Sequence, residues 1–156
     1  MNNLSLFKIL CAALLCTPSL LLHAQPSIAI NAQTPPGKIA RALSSDTILK
    51  VDRPNGLEVL VVRTVRQAGT RTPVHRHDHS GVTCVLEGEM TLYLEGSAPH
   101  RAQAGQCYNM PAGLSMAGVN AGTVEAVMHD IFTVPKGDDV WTVLEAETLQ
   151  DQFHRH

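Results

Sequence analysis

The chain is poor in aromatic and charged residues. Phe, Trp and Tyr make up 4% of its 156 residues, with one Trp in all, and Asp, Glu, Lys and Arg make up 17%. Basic residues number 12 against 14 acidic, a formal net charge of −2. The basic footprint that neutralises phosphates is therefore lacking, and no nucleic-acid partner is expected. Beyond the first two dozen positions no apolar run approaches the roughly 20 residues that span a bilayer, so no membrane anchor is expected. A disordered chain is excluded as well: hydrophobic residues make up 44%, and 11 Gly and 9 Pro punctuate them, the composition of a folded, turn-rich chain. At roughly 100–200 residues per domain, the length fits one domain with a core of its own.

Residues 1–24 read as a secretory signal peptide. Lys8 supplies a positive charge, residues 9–22 form an apolar stretch interrupted by Pro18, and Ala24 offers a small residue before Gln25. Cys11 and Cys16 each follow Leu rather than a small residue, which argues against lipoprotein processing. A periplasmic or secreted location is expected. Of four cysteines, Cys84 and Cys107 then remain in the mature chain, in an oxidising compartment.

Residues 25–44, with Pro26, Pro35, Pro36 and Gly37, read as an extended N-terminal arm. Strands are expected over residues 48–51, 57–65, 74–79, 82–86, 90–94, 106–110 and 124–134. Between them stand turn signals such as Pro54-Asn55-Gly56, Glu87-Gly88-Glu89, Pro111-Ala112-Gly113 and Pro135-Lys136-Gly137. Short strands at this spacing predict an all-β sandwich or barrel over residues 45–137. Residues 138–156 form a C-terminal tail, weakly compatible with helix over 141–150.

The chemistry concentrates in His75-Arg76-His77-Asp78-His79. On a strand, residues i, i+2 and i+4 share a face, so this pattern can aim three imidazoles one way. Paired imidazoles suit a divalent metal; a solvated polar strand end is the plain alternative.

The surroundings of these histidines resemble the cupin superfamily. Its first motif runs Gly, five residues, His-x-His, then Glu and Gly; here stand Gly69, His75-Arg76-His77 and Gly88. Its second runs Gly, five residues, Pro-x-Gly, two residues, His, three residues, Asn; here stand Gly105, Pro111-Ala112-Gly113, Met116 and Asn120. The resemblance implies a double-stranded β-helix, a jelly-roll barrel with its site inside, a small-molecule ligand and a homodimer. It also implies a metal site, but two of the family's four ligands are replaced: Gly81 stands at the Glu position and Met116 at the second-motif His. Candidate ligands are therefore His75, His77, His79, Met116 and His129. The ion would be a divalent or soft transition metal: copper, iron, manganese or zinc. A thioether at Met116 favours copper over hard ions. A metal-free barrel binding a small apolar or sugar-like ligand, and a purely structural protein, are the competing readings. With Glu absent, Asp78 and His79 are the nearest candidates for proton transfer, and the reaction, if any, stays open.

In the jelly roll that the resemblance implies, Cys84 and Cys107 lie on adjacent strands. They form either a cross-strand disulfide or two buried thiols, depending on register. Met90, Met110, Met116 and Met128 could act as soft donors beside the histidines, but most of them read as core filler; Trp141 reads as a packing anchor. His100, His154 and His156 read as solvated, and so by default do Arg63 and Arg66, with a partner subunit or an anionic ligand as their alternative.

Overall fold

A computed structural model describes residues 29–145; the signal-peptide reading, His154, His156 and the end of the tail lie outside these residues. The strands are β1 (Lys38–Ile39), β2 (Ser44–Arg53), β3 (Leu57–Arg66), β4 (Thr70–Arg71), β5 (His75–Arg76), β6 (Gly81–Glu87), β7 (Glu89–Leu94), β8 (His100–Gln103), β9 (Cys107–Met110), β10 (Met116–Val119), β11 (Ala126–Pro135) and β12 (Thr142–Val143). They form two sheets. One runs in the order β2-β3-β11-β6-β9, antiparallel throughout. In the other, β10 pairs with β4, β5 and β7, while β1, β12 and β8 extend the flanks.

Turn chemistry sets the reversals. Between β2 and β3, Asn55 takes φ 65° and Gly56 φ 73°, a left-handed pair suited to Asn-Gly. Gly88 joins β6 to β7 with φ 70°, and a Cβ there would lie 2.5 Å from the Glu125 carbonyl oxygen. Both the conformation and the space demand glycine.

Alternation along the long strands decides what fills the barrel. On β11, Ala126, Met128, Phe132 and Val134 are buried, and Val85, Met90, Leu92, Ala102, Tyr108, Met110 and Met116 pack against them from the other strands. The methionines expected as filler do line this core. Asn120, at the end of the second motif, is fully buried and donates to the carbonyls of Arg66 and Val124, tying β3 to the β10–β11 connection.

Three expectations change. The strand expected over residues 74–79 is confined to His75–Arg76, because the chain turns away and the His77 carbonyl accepts from Gly113 N–H instead of a ladder partner. Arg66, expected in solvent, is 4% exposed, since the register of β3 turns it to the inner face. In the tail, Thr142 and Val143 pair with Arg76 and His75 as a strand rather than a helix. The arm, by contrast, is pinned by contacts: Ile30 is buried beside Val74 and Ala117, and the Asn31 side chain bonds Leu94 O, Ser97 O and Gly96 N–H.

Candidate functional site in the barrel interior

The two sheets enclose a cavity of about 550 Å³, within the roughly 300–1,000 Å³ range of small-molecule sites. Its walls are mostly apolar: Leu60, Val62, Met90, Leu92, Met128 and Phe132. Two polar groups of residues interrupt them.

The first is the histidine pair. His75 and His77 are 5% and 3% exposed, with ring centroids 4.9 Å apart and planes nearly perpendicular. His75 Nδ1–H donates to the Pro73 carbonyl at 2.9 Å, and His77 Nδ1–H to the Val140 carbonyl at 2.5 Å. Carbonyls only accept, so in the neutral rings both Nε2 atoms carry lone pairs. His77 Nε2 is buried and has no hydrogen-bond partner. Burial, aided by the neighbouring His77, lowers the His75 pKa to about 3. Burial also lowers that of His77, against the Val140 carbonyl and the charge of Asp130. Both imidazoles are held neutral.

The second is centred on Asp130, which the sequence reading did not single out. It stands on β11 between inward-facing Met128 and Phe132. Thr64 Oγ1–H donates to its Oδ2 at 2.8 Å and Thr83 Oγ1–H to its Oδ1 at 2.6 Å. Thr83 sits opposite Asp130 on one side and Tyr108 on the other, so one hydroxyl joins the carboxylate to the phenol. Arg66 brings a buried positive charge, with Nη1 donating to Ala40 O at 3.0 Å. Burial pushes the Asp130 carboxyl up despite Thr83, Thr64 and Arg66, and burial with the Asp130 charge pushes the Tyr108 phenol up. The legible signal was a lone carboxylate at an inward position of an apolar alternating strand, a placement that needs partners.

The other candidate ligands are spread apart. Met116 is fully buried, lines the same cavity and sits opposite His75 in the β5–β10 pair. His79 lies beyond the end of β5 with its side chain 40% exposed, and its Nε2 is 3.9 Å from Asp138 Oδ2. His129 alternates with Met128 and Asp130 and so faces out of the barrel, opposite Arg63 and Cys84. Asp78 is 62% exposed beside Arg76. Among the described residues no group of three or more His, Cys, Asp or Glu is placed to hold a metal ion. At Gly81, where the resemblance puts the Glu ligand, a Cβ would lie 2.5 Å from Phe132 Cε1 and 3.0 Å from the Met110 methyl. Apolar groups occupy the path of the missing carboxylate. The octahedral hard-ion site of three His and one Glu does not fit this barrel.

Residues 62–132 match the family model of the cupin domain. Those residues carry the likeness to the cupin domain, and the chain has the double-stranded β-helix fold. Among solved structures it is similar to an RmlC-like cupin family protein from Methanocaldococcus jannaschii, at 20% identity and TM-score 0.52, over 62% of this chain and 84% of that one. It is also similar to an uncharacterized conserved protein with a double-stranded β-helix domain from Klebsiella pneumoniae subsp. pneumoniae MGH 78578, at 17% identity and TM-score 0.52, over 70% and 90%. The DMSP lyase DddQ from Ruegeria pomeroyi DSS-3 matches at 19% identity and TM-score 0.49, over 55% of this chain and 42% of that enzyme; the chain thus spans less than half of that enzyme's length. At these identities the likeness is one of fold. Among curated proteins none matches the chain.

Proposed function

We propose that this is an exported cupin-domain protein whose barrel takes up a small molecule with an apolar body and a polar head. The observation that carries the reading is the cavity of about 550 Å³, apolar over most of its wall, onto which Arg66, Asp130, His75 and His77 converge. Arg66 offers N–H donors, Asp130 acceptor oxygens, and the two neutral imidazoles acceptor nitrogens. A hydroxyl or carbonyl head matches these partners, while Leu60, Val62, Met90 and Leu92 would cover the body.

Export through residues 1–24 is part of the same reading, supported by the Cys84–Cys107 bridge, which belongs to oxidising compartments. So is a homodimer, for which exposed Leu43, Ile48 and Leu49 at the β2 edge offer an apolar surface.

The test is titration of the chain with six- to ten-carbon alcohols, ketones and carboxylates, followed by calorimetry. Binding by one class is expected, and Val62→Phe, which adds a ring to the cavity wall, should abolish it. Equal binding by wild type and Val62→Phe would remove the cavity from the account. A second reading, a metal on His75 and His77, is favoured by the buried, unpartnered His77 Nε2.

A further inference from the structure

We infer that the head of the bound molecule is a single carboxylate, seated on the Arg66 guanidinium. This rests on the cavity reading proposed above and goes beyond it by naming the charged group and the residue that receives it.

Arg66 is buried without being paired. It ends β3 at 4% exposure and lines the cavity. A guanidinium carries five N–H donors in a rigid fork, and Arg66 makes one side-chain hydrogen bond with the described residues, from Nη1 to the Ala40 carbonyl. None of the ion pairs among the described residues includes it. Arg71, buried to the same 4%, shows what the fold does elsewhere with such a group: both Glu145 oxygens accept from it. Asp130 does not do this for Arg66, since its two oxygens accept from Thr64 and Thr83. Its charge reaches Arg66 through space, yet burial outweighs that attraction and lowers the Arg66 pKa. A buried charge offset only in part favours an anion that brings its own hydrogen-bond acceptors.

The balance of charge limits what that anion is. The charged residues lining the cavity are Arg41, Arg66 and Asp130, and the two imidazoles beside them are held neutral. The wall therefore carries one positive charge in excess, which a monoanion neutralises. A phosphate monoester, at about −1.5 to −2 near neutral pH, would leave surplus negative charge beside Asp130. A carboxylate has the single charge and the planar pair of oxygens that match a guanidinium fork. The lone pairs on His75 Nε2 and His77 Nε2 repel such oxygens, so the head belongs at Arg66 and not at the histidines.

The experiment titrates the full chain by calorimetry at neutral pH with octanoate, octan-1-ol, octan-2-one and octyl phosphate, each alone. Octanoate is expected to bind one per chain and about tenfold or more tighter than the other three, the size of effect of a charge-assisted hydrogen bond. Arg66→Gln should erase that preference. Arg63→Gln removes the same charge from the outward face of the same strand and should leave the preference unchanged. In wild type, a ¹⁵Nε label on arginine should report an octanoate-induced shift at Arg66, a readout that stands even where Arg66→Gln fails to fold. Equal or tighter binding of octan-1-ol or octan-2-one, lost in Val62→Phe, would overturn the carboxylate while sparing the cavity reading. Tighter binding of octyl phosphate would overturn the single charge. Octanoate binding with an unmoved Arg66 resonance, or a preference that Arg66→Gln leaves intact, would overturn Arg66 as the seat. Binding by none of the four, or octanoate binding that survives in Val62→Phe, would overturn the cavity reading and this inference together.

Discussion

The ring of Phe132 fills the space that a side chain at Gly81 would need: a Cβ there would stand 2.5 Å from Cε1 and 2.6 Å from Cδ1. The two residues are register partners on β6 and β11, so neither can change size alone. Gly81→Ala is expected to destabilise the fold by about 1–3 kcal/mol through overpacking, and Phe132→Ala by about 3–5 kcal/mol through the cavity it leaves. In the double variant only the flexible Met110 methyl, 3.0 Å away, still stands close to the alanine Cβ, so most of the cost at Gly81 should vanish. Urea unfolding of the four proteins gives the coupling. Strict additivity would show that the ring does not stand against Gly81.

Cys84 and Cys107 are directly opposed on β6 and β9 and joined by a disulfide. The bridge closes a loop with a sequence separation of 23. In the chain-entropy model such a loop contributes about 3 kcal/mol. Cys84→Ala with Cys107→Ala should lower stability by about that amount. Thiol titration of denatured, unreduced protein should find neither cysteine of this pair free; two reactive thiols from this pair would refute the bridge.

Much of the fold was legible because it rests on local chemistry. Asn55-Gly56 and Gly88 mark reversals wherever they occur, and β-branched residues over 57–65 suit a strand. The histidine pair was legible for the same reason, being two positions apart. What escaped depends on partners far along the chain. Whether His79 shares a face with His75 turns on where β5 stops, and that is decided by Gly113, more than thirty residues on. Arg66 looks like any polar strand residue until the register places it inside, near Asp130. The disulfide stayed open in the sequence because a one-residue slip would turn the two cysteines to opposite faces.

The buried imidazoles set a pH dependence. Folding lowers the His75 pKa from its ordinary value of 6.5 to about 3, and His77 moves in the same direction. Between those limits the unfolded chain binds more protons than the native one, so stability rises with pH. The contribution is complete above about pH 6.5 and is lost as pH falls toward 3, with a limiting slope of about 1.4 kcal/mol per unit for one histidine. Asp130 acts oppositely. Its pKa is raised on folding, so its contribution is present below its ordinary value of 3.8 and lost as pH rises through the raised value. His75→Asn should therefore flatten the decline between pH 6.5 and 4 in urea midpoints of the metal-free chain. An unchanged slope would mean that His75 titrates alike in both states.

Arg71 and Glu145 form a forked ion pair that holds the last described segment over the histidines. Arg71 Nη1 donates to Glu145 Oε2 at 2.6 Å and Nη2 to Oε1 at 2.9 Å, with both side chains 4% exposed. Val74 N–H also donates to Oε2, at 2.8 Å. Burial pushes the Glu145 carboxyl up, but Arg71 and the Val74 N–H outweigh it and hold it below its ordinary value. The pair's contribution is therefore present above about pH 4.5 and lost as pH falls. Residues 140–145, anchored this way, supply the Val140 carbonyl to His77 and set the Trp141 ring 4.6 Å from that of His75. Glu145→Gln leaves the guanidinium buried beside a neutral amide, a change of the kind that costs about 3–5 kcal/mol. The effect should reach the site, because freeing this segment loosens both imidazoles. Trp141 is the single tryptophan of the chain, so its emission should shift to the red in Glu145→Gln. Replacing both partners by Met should restore most of the stability, since an apolar pair leaves no charge uncompensated. Unfolding midpoints and Trp141 emission that stay at wild-type values in Glu145→Gln would show that the pair does not hold this segment.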